Sequence, residues 1–334
     1  MKESKIILTG IKPTGVPHVG NLVGAILPMI KMSNAAPAGS SFAFIADLHA
    51  LNAVADRREI AQHTREVAAI YLALGLDPER TVFFRQSDIA EIPYLTTLLM
   101  NVTPKGLMNR AHSYKAAVDK NITANDDTDA GINMGLYTYP VLMAADILMY
   151  GSDIVPVGAD QKQHVEFARD IAGYFNNIYG ETFKLPEPFI RKETGLIPGL
   201  DGRKMSKSYG NQIPIFDTPA ELKKKIMRII TDSKLPDEPK DPDTSTIFQL
   251  YQHFADAAAT ADLRAKFIAG GLGYGDAKKI LFDALDKFLS GPRAEYERLM
   301  ANPAEIDAIL DAGATRARAV AAPMLSRVRA TMLG

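Results

Sequence analysis

The sequence predicts an α/β fold, a doubly wound parallel sheet followed by a smaller all-helical carboxyl-terminal region. Short apolar runs ending at glycine or proline alternate with stretches of helical period through the first half of the chain. Such alternation calls for parallel strands joined by right-handed helical crossovers. Beyond Ile215 the strand pattern fades and helical period takes over. The 334 residues suffice for one large domain or a large and a small one, and the apolar fraction of 47% is ample for a buried core.

Residues 5–10 form a short apolar run ending at Gly10 and read as the first strand; the apolar positions from Leu22 to Ile30 read as the helix after it. Residues 42–46 make the second strand, and residues 57–74 a helix ended by Gly75 and Pro78. Residues 81–85 are a third strand, and helical period returns at 92–100 and 142–150. A fourth strand covers 153–158, with a helix from about 161 to 176 behind it. The polar, acid-rich stretch 119–129 reads as a surface loop. Past Gly210, helical period recurs at 219–230, 246–258, 262–269, 276–289, 293–300 and 303–332, with a proline- and lysine-rich linker over 234–242. The chain thus divides into a sheet domain over 1–195, a connecting loop over 196–212 and a helical domain over 213–334. In doubly wound sheets ligands sit beyond the carboxyl ends of the strands, where the strand order reverses. The segments after Leu8, Ile45 and Val157 are therefore candidate site positions.

Composition narrows the chemistry. A net charge of -1 supplies no global attraction to nucleic acid, so any RNA contact must be made by local patches. There is no cysteine, which rules out disulfides and thiolate zinc sites and is compatible with a reducing cytoplasm. The few apolar residues before Thr9 and Gly10 are too short for a signal-peptide core, and no run approaches the roughly 20 apolar residues of a membrane span. A soluble, cytoplasmic protein with no membrane partner is expected. The histidines show no metal-ligand spacing, and no protein metal site is expected.

Two glycine-rich segments stand out. Residues 202–210 hold Arg203, Lys204 and Lys207 with the hydroxyls of Ser206 and Ser208, bracketed by Gly202 and Gly210. A segment of this composition reads as a mobile, solvated loop with no apolar face, able to bring two lysines onto a polyphosphate. A solvated charged turn is the plainer reading of such a cluster. Residues 10–21 lie between the first strand and the first helix and carry Gly10, Gly15 and Gly20, which permit tight turns and close backbone approach. The helix start beyond them offers free N–H groups to an anion. The spacing fits neither GxGxxG nor a P-loop.

The string Lys204-Met205-Ser206-Lys207-Ser208 resembles the KMSKS signature of class I aminoacyl-tRNA synthetases, and His18-Val19-Gly20-Asn21 resembles their HIGH signature with asparagine in the last place. The order and separation of the two also match. Along most of the chain the finer resemblance is to the tryptophanyl-tRNA synthetase family. It is carried by Gly10 through Gly15 with Gly20 and Asn21, by residues 46–50 (ADLHA), 139–148 (YPVLMAADIL) and 153–164, and by the 204–208 loop. Thr231-Asp232-Ser233 and Gly273-Tyr274-Gly275 extend it into the helical region. Lys12 stands where many members carry glutamine, and residues 199–203 replace a segment that often carries a further lysine.

The resemblance implies a Rossmann-like catalytic domain, a mobile loop and a helical domain that reads the tRNA anticodon. It also implies a homodimer, and the helical faces between Leu95 and Met108 read equally as dimer surface and as core. The implied reaction is attack of the tryptophan carboxylate on the α-phosphorus of ATP, followed by transfer to a ribose hydroxyl of tRNA(Trp). A carboxylate is already ionised at neutral pH, so the first step needs in-line positioning and charge neutralisation rather than a general base. Lys204, Lys207, Ser206 and Ser208, with His18 and Asn21, are the implied catalytic set. Lys12, Pro13, Thr14, Gly20, Asn21, Gly158, Ala159, Asp160, Ile197 and Met205 join the loop lysines and serines around ATP, whose Mg²⁺ would be held by phosphate and water. Asp146, on an otherwise apolar helix, reads as a structural cap or salt bridge on its own and as the acceptor of the indole N–H in the family context, with Gln161, Met143 and His49 beside the amino acid. Asp160 reads equally as a helix cap. Lys115 reads as a solvated helix cation able to approach the phosphates, His164 as structural, and His49 equally as a satisfied core histidine. Residues 223–225 with Arg228, and Arg316, Arg318, Arg327 and Arg329, are candidate phosphate contacts that read equally as solvated helix faces. Tyrosine as the amino acid, or a non-catalytic RNA-binding paralogue, are the competing readings.

Overall fold

The computed structural model describes residues 5–13, 15–158, 161–190 and 196–334. Five strands, β1 (Ile7–Ile11), β2 (Ser41–Ile45), β3 (Thr81–Arg85), β4 (Ile154–Val157) and β5 (Glu187–Ile190), form one fully parallel sheet in the order β3-β2-β1-β4-β5. The first four lie within a residue or two of expectation. β5 was not anticipated: it has four residues with Pro188 inside, and such a strand is tolerated only at an edge, where this one sits. Growth of the sheet reverses at β1, which is flanked by β2 and β4, so the switch point lies at the carboxyl ends of β1 and β4.

After β1 the chain enters one helical path made of α1 (Val19–Asn21), a π segment (Leu22–Ile26) and α2 (Leu27–Ala35). It starts three residues before the expected helix and ends five residues after it. Pro28 accounts for the π segment. Having no N–H, it cannot continue the regular ladder, and the Leu27 N–H bonds to the Leu22 carbonyl, one residue beyond the usual partner. α3 (Asp47–Ala50) and α4 (Arg57–Ala73) follow β2; α5 (Glu91–Met100), α6 (Lys105–Met108), α7 (His112–Ala124) and α8 (Met134–Met149) lead to β4, and α9 (Lys162–Tyr179) to β5. α7 corrects the expectation of a loop over 119–129 as far as Ala124; residues 125–129 are exposed turn and loop. The helix has no buried residue, so no apolar stripe marked it.

The carboxyl third is helical: α10 (Pro219–Ile226), α11 (Thr246–Tyr251), α12 (Ala257–Ala269), α13 (Tyr274–Ala301) and α14 (Pro303–Leu333). α13 runs unbroken through Pro292, where two helices were expected. Strand pleating sends alternate side chains to opposite faces. Phe42, Phe44, Val82 and Phe84 enter one core with α5, α8 and α9, while Ala43, Ile45 and Phe83 enter the other with α4 and α10 to α13. Phe83 and Phe84 are fully buried, each contributing about 1.5–3 kcal/mol.

α14 belongs to both cores, with Ile306 and Leu310 in one and Ala314, Ala317, Ala321 and Val328 in the other. It therefore covers the β3 edge of the sheet. The approach is close enough that a Cβ on Gly313 would lie 1.7 Å from the Phe83 carbonyl oxygen. The arginines of this helix fasten it. Arg316 donates to the carbonyls of Pro78, Glu79 and Thr81, and Arg318 pairs with Glu91 at 3.3 Å. Arg327 donates to the Thr182 carbonyl at 2.8 Å, and Arg329 lies over the Tyr94 ring. These contacts, rather than the phosphates suggested by the charge run, engage the four arginines in this structure.

Candidate active site

In a parallel sheet every strand ends on the same edge, so the turns after β1, β2, β3 and β4 gather there. The turn after β1 leads to His18, which caps α1. Its Nδ1 accepts from the Asn21 N–H at 3.2 Å, and the Asn21 Oδ1 accepts from the His18 N–H at 3.2 Å. This reciprocal box satisfies two of the donors that a helix start leaves unpaired. With Nδ1 accepting, Nε2 carries the ring proton of the neutral imidazole. His18 is buried, and burial together with the nearby Lys207 charge lowers its pKa to about 4. The ring is therefore neutral at pH 7 and acts as a hydrogen-bonding group.

The cationic loop lies against this helix start. The Gly20 N–H points to the Met205 Sδ at 3.3 Å, and a Cβ on Gly20 would meet His18 at 3.0 Å and Met205 Cβ at 3.3 Å. Gly15 has a positive φ of 83°, and a Cβ there would lie 3.4 Å from Lys207 Nζ and 3.5 Å from His63 Nε2. Both glycines permit a close approach that a side chain would obstruct. His63, on α4, was not singled out in the sequence. Backbone bonds stitch the segment just beyond the loop to the same turn, Val19 N–H to the Ile213 carbonyl at 2.8 Å and Ile215 N–H to the Pro17 carbonyl at 3.3 Å.

The loop is less free than its composition implied. Met205 is buried, at 3% exposure, which corrects the reading of a segment with no apolar face. Lys204, Lys207 and Ser208 are exposed, and Ser206 is half-buried. A two-stranded pairing of Pro198 with Lys204 and a bond from Met205 N–H to the Ile197 carbonyl at 2.9 Å shape its base. Asn211 is the hub. Its Oδ1 accepts from Ser206 N–H at 2.9 Å, while Nδ2 donates to Asp201 at 2.7 Å and to the Lys204 carbonyl at 3.1 Å. A Cβ on Gly199 would fall 2.4 Å from Asn211 Cγ, so glycine there lets the hub seat. Asp201 also accepts from Arg203, and the Asn211 bond followed by the Arg203 contacts holds its carboxyl below the usual range. Ser206 and Ser208 bond to each other at 2.9 Å. Nothing in the sequence distinguished Asn211, because a neutral amide forms part of no charge pattern.

A second cluster occupies the ends of β2 and β3. Asp146, on α8, is 2% exposed, and its Oδ2 accepts from His49 Nε2 at 3.1 Å. Gln86, fully buried just past β3, donates from Nε2 to Oδ1 at 2.9 Å and Oδ2 at 2.8 Å. Burial raises the Asp146 pKa, and the bonds from His49 and Gln86 oppose that rise. Met143 is half-buried on the same helix. Beside it Tyr139 bonds to His164 Nε2 at 2.7 Å, so His164 is engaged with a neighbour of the cluster. Asp47 is buried too and accepts from Ser87 and from its own helix. Lys12 is exposed and Pro13 buried after β1, and Gly158 and Gln161 are exposed after β4. Thr14, Ala159 and Asp160 lie outside the described residues. Lys115 is exposed on α7.

Comparison with known proteins places this geometry in a family. Residues 1–290 match the family described as tRNA synthetases class I (W and Y). The tryptophan–tRNA ligase of Pseudomonas aeruginosa is 53% identical over 326 residues, 97% of this chain and 72% of that protein. The tryptophan–tRNA ligase of Neisseria meningitidis is 50% identical over 98% of this chain and 97% of its own length. Among solved structures, tryptophanyl-tRNA synthetase from Campylobacter jejuni, complexed with ADP and tryptophan, superposes with a TM-score of 0.89 at 41% identity, covering 98% of this chain and 99% of that one. The parallel sheet with flanking helices and a helical carboxyl-terminal region is thus the architecture expected from the sequence. The chain belongs to the class I tRNA synthetases of the tryptophan and tyrosine type and, within them, to the tryptophan–tRNA ligases.

Proposed function

We propose that this chain is a tryptophan–tRNA ligase that couples L-tryptophan to ATP, releasing pyrophosphate, and passes the activated amino acid to tRNA(Trp). The apposition that carries the proposal is Lys207 of the cationic loop against the Gly15 turn, with Met205 against Gly20, at the carboxyl end of β1. ATP would lie between the helix start and the loop. Lys204 and Lys207 would neutralise charge on the phosphates as pyrophosphate departs, with Ser206 and Ser208 donating hydrogen bonds. Neutral His18 and Asn21 keep the helix start in register for the same phosphates. Lys12, Pro13, Thr14, Gly158, Ala159, Asp160, Ile197 and Met205 complete the nucleotide site in this reading.

Tryptophan would sit over Asp146, Met143 and His49, with Gln161 toward its ammonium group. A buried carboxylate with one acceptor position left unfilled disfavours phenylalanine, which has no N–H to offer. Mg²⁺ would travel with the nucleotide. Ammonium and hydroxyl donors suit phosphate oxygens, and among the described residues no cluster of three or more carboxylates or histidines could hold a metal ion. Bound to the phosphates, the ion would further offset their charge. No described helix is long and apolar enough to cross a membrane. A cytoplasmic homodimer is part of the proposal and rests on the resemblance to the family.

Identity of half or more to tryptophan–tRNA ligases over nearly the whole chain favours tryptophan over tyrosine, and catalysis over a purely RNA-binding role. The test is ATP–pyrophosphate exchange with each amino acid in turn. Exchange driven by tryptophan and not by tyrosine is expected; exchange with tyrosine, or with neither, would overturn the proposal.

A further inference from the structure

Resting on the tryptophan–tRNA ligase reading, we infer that Gln86 is a specificity-determining positioning residue, which sets the one acceptor position that Asp146 presents to the indole N–H. Each carboxylate oxygen has two acceptor positions. Asp146 Oδ2 takes bonds from His49 Nε2 and Gln86 Nε2, and is filled; among the described residues Oδ1 takes only the Gln86 bond. One acceptor position therefore remains, on Oδ1, and its direction follows from where Gln86 holds the carboxylate.

The placement of Gln86 is itself determined on all sides. It is wholly buried and follows β3 directly. Its Oε1 faces the His49 N–H at 3.4 Å while Nε2 faces Asp146. Reversing the amide would set its oxygen against a carboxylate and its NH₂ against a donor, so the network admits one orientation. Gln86 thus couples α3, which carries His49, to α8, which carries Asp146. It also opposes the effect of burial on the Asp146 carboxyl, favouring the ionised, acceptor-only form. A carboxylate with one remaining position, at a fixed angle, matches a ligand with a single in-plane N–H. Without Gln86 the carboxylate can rotate about its last bond, and a correctly aimed N–H is no longer distinguished from an isostere that lacks it.

The test pairs tryptophan with its benzothienyl analogue, which carries sulfur in place of the indole N–H. Pyrophosphate-exchange kcat/KM is measured for both in the wild-type protein and in Gln86→Met, which keeps the side-chain length and removes the donors. The tryptophan-to-analogue ratio is expected to fall by about tenfold to a hundredfold. Loss of both activities in equal measure, or an unchanged ratio, would overturn the inference, because a merely structural role cannot single out the N–H. Gln86→Glu, of the same shape, sets a second acid against Asp146 and is expected to lower the ratio likewise. A crystal of the wild-type protein with tryptophan needs no variant. Indole nitrogen on Asp146 Oδ1 with Gln86 still on both oxygens supports the inference; indole nitrogen held by another residue overturns it. If the wild-type protein shows no tryptophan-dependent exchange, the ligase reading fails; if it does and the ratio ignores Gln86, only this inference fails.

Discussion

Replacing Asn211 by alanine probes the cationic loop while leaving both of its lysines in place. Besides the donor to Asp201 at 2.7 Å, the substitution removes the acceptor of the Ser206 N–H at 2.9 Å and the donor to the Lys204 carbonyl at 3.1 Å, the two neutral bonds that shape the loop on either side of Met205. A neutral hydrogen bond contributes about 1 kcal/mol net. Losing both costs the seated loop about 2 kcal/mol, a factor of about thirty in its population relative to unseated forms. If the loop must be seated as the phosphates react, the rate of adenylate formation falls by up to about thirtyfold. The Asp146 cluster stands on other elements, so tryptophan affinity should hold. Asn211 is buried, at 3% exposure, so a fall of a few degrees in the melting temperature should accompany the change. Rapid-quench measurement of adenylate formation, tryptophan titration and a thermal melt separate these effects. A rate within twofold of wild type, or a loss confined to tryptophan affinity, would refute the role given to Asn211.

Three further outcomes follow from the same geometry. Lys207→Ala should slow adenylate formation by about a hundredfold or more with the melt unchanged, and unaltered exchange kinetics would remove the lysine from the mechanism. His18 has a folded pKa of about 4 against an ordinary 6.5. The unfolded chain therefore binds the extra proton first, and this contribution to stability is complete above pH 6.5 and is lost as the pH falls toward 4. His18→Asn, which can still cap α1, should lose less stability than wild type between urea melts at pH 7 and pH 4.5; equal losses would contradict the shift. Gly313→Ala puts a methyl group 1.7 Å from the Phe83 carbonyl oxygen and should cost about 3 kcal/mol in a urea melt by lifting α14 from β3, and an unchanged midpoint would show that the contact yields freely.

Much of the architecture was legible in the chain because its elements follow simple periods. The first four residues of β3 are β-branched or aromatic and buried, and α4 carries a clear apolar stripe, so both were placed almost to the residue. Where burial is absent, the pattern is absent: α7 has no buried residue, and its last six residues passed for a loop. Proline misled in two ways. Pro292 looked like a break in α13, and Pro188 hid an edge strand of four residues. The candidate site divides along similar lines. Charged and glycine-rich strings at 10–21 and 202–210 were visible as strings. Gln86 and Asn211 were not, since each is one neutral amide whose importance comes from partners 60 and 5 to 10 positions away. The arginines of α14 were open to two readings, phosphate contact or a solvated face, and their clustering gave no sign that Arg316 donates to three carbonyl oxygens before β3 and at its start.

The central claim is that the glycine-lined helix start and the cationic loop hold one triphosphate between them. A crystal structure with ATP and a non-reactive tryptophan analogue tests it most directly. The phosphates should lie within hydrogen-bond distance of the residues around Gly15 and Gly20 on one side and of Lys204 or Lys207 on the other. Phosphates bound away from either element would contradict the account.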